Sequence, residues 1–192
     1  MKRTVFFTTL AFLAMFSACK KDNQEVLPDS NARTNDGIVF SHGDSSCHEV
    51  VSEFYAGQHI PAGTITVSND ESNVYVTFNT ENGWEMGTTH LYVGFEDGLP
   101  VGKSGNPKIG NFPFQTNHSP MQTTYTYIVP MDEFVLGDCI VIAAHAEVFL
   151  VGPDGEVVDS QTAWGGTQPI REGGSWATYI EYCICKNPVI GG

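Results

Sequence analysis

The side chains of this sequence best suited to chemistry are two imidazoles and a carboxylate, His90, His145 and Glu147. His145 and Glu147 are two residues apart, so on a strand they leave the same face. His90 opens a second apolar segment, and if the two strands are neighbours the three groups converge into a set that suits a divalent metal or an acid–base pair. Such a set would serve a secreted metal-dependent or acid–base hydrolase. The competing expectation is a pair of sheet histidines satisfied by ordinary hydrogen bonds.

Other motifs fail on inspection. His48-Glu49-Val50-Val51-Ser52 begins like a metalloprotease helix, but Ser52 stands where the second histidine is required. Gly102-Lys103-Ser104 matches the end of a phosphate-binding loop, yet Asp97 occupies the place of its first glycine. Glu81 and Glu85 flank Trp84, and Asn82-Gly83 between them reads as a turn rather than as part of a glycosidase pair. No calcium loop and no nucleophile elbow is present. These residues therefore assign no catalytic group, no cofactor and no resident metal.

Trp84, Trp164 and Trp176 each stand beside glycine or a turn. Tryptophans at strand ends can offer a flat face to a sugar ring or a peptide, with the indole N–H at the rim. Core packing accounts for them equally well.

The cysteines bear on compartment. Besides Cys19 there are four, Cys47, Cys139, Cys183 and Cys185, an even number that reads most simply as two disulfides. Cys183 and Cys185 share one face of an expected strand, so a bond between them would be strained. The favoured arrangement pairs Cys47 and Cys139 each with one of them. A zinc site built from these thiols and His48 is the alternative, and its spacing fits no finger or ribbon pattern.

The elements that must position these residues have an apolar period of two. Strands are expected over 64–68, 74–78, 90–95, 123–129, 139–150, 156–164 and 176–185, with Gly152-Pro153-Asp154-Gly155 closing a hairpin between the fifth and sixth. No segment sustains a helical stripe with caps. The expected fold is all-β, an antiparallel sandwich of about seven to nine strands over residues 37–187. Residues 98–120, rich in Gly, Pro and Asn, show no strand pattern and should form a long surface loop of the kind that carries function.

Lys2 and Arg3 followed by an apolar stretch over 5–16 have the layout of an export signal, too short and too interrupted to span a bilayer. Phe16-Ser17-Ala18-Cys19 resembles the lipobox of bacterial lipoproteins. The resemblance implies that 1–18 is removed and that Cys19 carries a diacylglyceryl group, usually with a third acyl chain, enough for stable anchoring. Lys20-Lys21-Asp22 is similar to the signal by which Bacteroidetes-type lipoproteins reach the outer face of the outer membrane. Residues 19–36 have the composition of a flexible tether, and 188–192 form a short tail.

Without Lys2 and Arg3, seven of nine basic residues remain against 22 acidic ones, a formal charge of −15. Such a surface repels nucleic acid, so the expected partners are a membrane, through the acyl chains, and a glycan or protein ligand. The segments 88–94, 143–147 and 162–165 are similar to pieces of extracellular domains of bacterial surface proteins, a likeness that carries no activity. The expectation is a lipid-anchored, noncatalytic binding or adhesion module at the cell surface. A hydrolase using His90, His145 and Glu147 and a structural envelope component are the alternatives.

Overall fold

The computed structural model describes residues 48–186. Cys19, Cys47, the signal 1–18, the tether 19–36 and the tail 188–192 lie outside the described residues. All the described residues fall in one compact unit.

The fold is all-β and antiparallel. Its strands are β1 (Val50–Ala56), β2 (Ile60–Asn69), β3 (Asn73–Thr80), β4 (Trp84–Gly94), β5 (Phe114–Gln122), β6 (Thr124–Pro130), β7 (Cys139–Val151), β8 (Val157–Gly165), β9 (Gln168–Pro169) and β10 (Thr178–Cys183). Helical structure among the described residues is limited to two three-residue 3-10 turns, Glu96–Gly98 and Ile109–Asn111. The sandwich expected from the sequence takes the form of one continuous sheet in the order β5-β4-β7-β8-β1-β2-β3-β6, with β10 added to β7 and the short β9 to β10.

The sheet curls until its ends meet. β5 and β6 stand at opposite ends of the strand order, yet only Thr123 separates them in the chain. The Phe114 ring of β5 packs 6.1 Å from the Tyr127 ring of β6, and Tyr127 OH lies 2.8 Å from Thr89 Oγ1 of β4. The result is barrel-like. Its inward face takes every second residue of each strand, because successive side chains of a strand point to opposite sides. Phe54, Ile65, Phe78, Met86, Leu91 and Ile142 are fully buried there, each contributing about 1.5–3 kcal/mol by leaving water. Edge-to-face contacts run from Phe54 to Phe78 and on to Tyr127, both at 5.8 Å.

One end of this interior is closed by Asn69, which is buried. Its amide donates to the carbonyls of Asp70 and Cys185, and its oxygen accepts from Tyr182 OH at 2.8 Å. Burial pushes the Tyr182 phenol up to about 12.

A second apolar cluster covers part of the outer face. Val141 and Ala143 belong to it, whereas Ile140, Ile142 and Ala144 belong to the interior, so this part of β7 is buried on both sides. The roof over the outer cluster comes from Leu99, Phe112 and Ala177, with Ile109, Ile170 and Trp176 packed against it. The segment 98–120 is thus no simple surface excursion. Its first part packs on the sheet through Leu99 and Phe112, and Phe114–Gln122 is the strand β5.

Candidate functional site

Register brings His90, His145 and Trp164 into one line across the outer face. Trp164 of β8 faces His145 of β7, His145 faces His90 of β4, and His90 faces Gln115 of β5. Tyr55 of β1 extends the line on the far side of Trp164. The His90 and His145 ring centroids are 5.5 Å apart with their planes at 52°, and the Trp164 ring lies 4.8 Å from that of His145. Glu147 is exposed on the same face and sits opposite Thr88.

His145 is only 4 % exposed, in a stretch of β7 whose other members from Ile140 to Val148, Glu147 excepted, are apolar. Burial, and then the neighbouring His90, push its pKa down to about 3, so the ring is neutral at physiological pH. His90 is half-buried, and burial lowers its pKa while the charge of Glu147 partly opposes the shift. Neither ring nitrogen of His145, nor Nδ1 of His90, has a hydrogen-bond partner among the described residues.

The three tryptophans do not form a shared platform. Trp84 lies in the inner core and Trp164 in the outer one, each 4 % exposed. Trp176 is half-buried against the outer cluster and is the only one of the three with substantial exposure. Glycine beside tryptophan accompanies a buried ring, as at Gly83-Trp84 and Trp164-Gly165, as readily as a surface turn, and the residues alone did not distinguish them.

Cys139 and Cys183 face each other on β7 and β10 and are joined by a disulfide on the outer surface. Glu181 lies beside them, near enough for three ligand atoms to gather, but paired sulfurs are no thiolates and the oxidised pair cannot take a metal. The same bond removes both thiols from a zinc site with His48. Cys185 is also disulfide-bonded.

A cavity of about 390 Å³ opens on the outer face beyond the apolar roof, lined by residues none of which stood out as a candidate in the sequence. Glu96, Asp97, Leu99 and Val101 form one wall; Ile170, Arg171 and Tyr179 form the other. Backbone hydrogen bonds fix both walls, Lys108 N–H to Pro100 O on the first and Ile170 N–H to Ala177 O on the second. The walls are also tied together. Arg171 donates from Nη1 to the Ser104 carbonyl, and the Ser175 N–H donates to Asn106 Oδ1 at 3.1 Å. Gly166 sets the position of Tyr179: its φ is +107°, and a Cβ there would fall on the Tyr179 carbonyl. Burial, followed by the charges of Glu96 and Glu181, raises the Tyr179 phenol.

Chemically, the cavity offers two exposed carboxylates, a guanidinium, a phenol and an apolar floor. The one sequence signal that pointed near it was the length and composition of 98–120. No family model, curated protein or solved structure matches this chain.

Proposed function

We propose that the protein is a lipoprotein of the cell envelope, anchored to the outer membrane through acyl chains on Cys19, facing the cell surface, and that its β domain is a noncatalytic binding module for glycans. The observation that carries the binding reading is the walled cavity between residues 96–101 and 170–171 with Tyr179. Sugar hydroxyls pair with planar polar groups, and the apolar faces of sugar rings pack on aromatic ones. Glu96, Asp97 and Arg171 supply the first kind of partner and Tyr179 the second. Both walls are held by bonds already made, which limits the ordering that binding would require.

The Cys139–Cys183 disulfide supports a compartment outside the cytoplasm, where such bonds persist. No helix of the described residues is long and apolar enough to cross a membrane, so the anchoring proposal rests on Cys19 alone. A metal-free acid–base hydrolytic role for His90, His145 and Glu147 is disfavoured, because an imidazole held neutral down to about pH 3 is a poor base at neutral pH.

The test is a glycan array probed with the lipid-free protein and with Tyr179→Ala. Binding to a defined set of glycans, weakened about tenfold or more by the substitution, is expected, a loss of about 1.4 kcal/mol. An array without signal, or equal binding by both proteins, overturns the reading.

A further inference from the structure

His145 has no part in that cavity, and its surroundings are unusual for an imidazole. A neutral ring carries one N–H donor and one acceptor lone pair. In His145 neither meets a partner among the described residues, and Nδ1 of His90 beside it is in the same condition. A buried polar group left unmet costs about 1–3 kcal/mol, and folded proteins keep few of them. An aliphatic residue at 145 would remove that penalty, in a strand that is apolar on both sides of it.

The spacing of the two ring centroids also fits a shared ion. Zinc–nitrogen bonds are about 2.0–2.1 Å, and a ring centroid lies about 1.2 Å beyond its nitrogen, so an ion held tetrahedrally by two imidazoles sets their centroids roughly 5.3 Å apart. The observed separation is 5.5 Å. Both residues sit on central strands, paired along the length from Trp84 with Leu150 to Gly94 with Val141, which fixes their backbones. Glu147, exposed and two residues along β7 on the same face, already acts on His90 through its charge. It supplies a carboxylate at the exposed edge of the pair.

We propose that His90 and His145 hold a divalent transition-metal ion of the zinc, nickel and copper class, with Glu147 turning in to complete the protein ligands. Imidazole nitrogens favour these metals, whereas calcium and magnesium take oxygen ligands. The ion takes one nitrogen of each ring, which meets two of the three unmet nitrogens, and it stiffens the outer face where β4, β7 and β8 run side by side.

The experiment titrates the purified, oxidised protein with zinc by calorimetry and with copper by tryptophan fluorescence, since the Trp164 ring lies 4.8 Å from that of His145. One equivalent of either metal binds, and copper quenches emission. His90→Ala, at a half-buried position, keeps the strand spectrum by circular dichroism and lowers affinity about 100-fold or more. Glu147→Gln lowers it about tenfold. His59→Ala, at an exposed turn, and Tyr179→Ala in the cavity leave it unchanged, so the metal site stands or falls apart from glycan binding. Absence of binding at millimolar metal, or the same affinity in His90→Ala, overturns the site.

Discussion

Asp70 shows how a single side chain shapes the chain around it. Its carboxylate accepts hydrogen bonds from the N–H groups of Ser72 and Asn73, both at 2.7 Å, and from Tyr75 OH at 2.6 Å, closing the turn between β2 and β3. The Tyr75 bond first, then the two backbone bonds, lower its pKa below 3.8. The folded protein therefore binds this proton less readily than the unfolded chain. Stability from Asp70 is complete above the unfolded value and is lost as pH falls through the lower folded one. Asp70→Asn should flatten the acid limb of a stability-against-pH curve measured by denaturant unfolding between pH 2 and 5; an unchanged limb would show that the bonds carry no linkage. That His145 and Glu147 share a face was legible at this scale, because a spacing of two on a strand places residues on one face whatever the fold, whereas the position of His90 opposite His145 came only with the pairing of β4 and β7. That His145 would be buried without partners was not legible. The roof that buries this face comes from residues 99, 112 and 177, distant in sequence.

Among the elements, the hairpin of β7 and β8 was expected at 139–150 and 156–164 and runs Cys139–Val151 and Val157–Gly165. Its turn residues and apolar content say the same thing. The turn between β3 and β4 is equally plain: Asn82 and Gly83 are both at positive φ, and the Trp84 N–H donates to the Glu81 carbonyl at 3.0 Å, a tight turn that carries the chain between two strands that do not pair with each other. β5 was missed for a physical reason. Its inward residues after Phe114 are Thr116 and His118, which satisfy each other's neighbourhood through Tyr125, Tyr127 and Thr89 rather than through apolar contact, so no hydrophobic alternation marks the strand. Pro120 further disguises it and is tolerated because β5 ladders with β4 alone. β1 was missed because only Phe54 and Ala56 are fully buried in it. At the end of β8, Gly166 joins strand to cavity wall. Gly166→Ala places a side chain at positive φ and against the backbone of Tyr179, and should destabilise by about 2–3 kcal/mol in equilibrium unfolding. A loss under 0.5 kcal/mol would show that the wall yields easily.

For the molecule as a whole, the disulfide, the acidic surface and the proposed cavity ligand all assume a chain that lives outside the cytoplasm. The Cys139–Cys183 bridge closes a loop of 44 residues, so reducing it should lower stability by up to about 4 kcal/mol through the freedom restored to the unfolded chain. Denaturant midpoints of the oxidised protein and of a Cys139→Ser, Cys183→Ser double variant measure this, and identical midpoints would remove the bridge from the account of stability. The proposed anchoring rests on Cys19, and on that proposal Cys19→Ala should move the protein from the membrane fraction to the soluble one. The most direct measurement is the mass of the N-terminal peptide of protein purified from its native membranes. The account predicts a chain beginning at Cys19 with acyl groups on its sulfur. A peptide that still begins at Met1, or a processed Cys19 with a bare thiol, would contradict it.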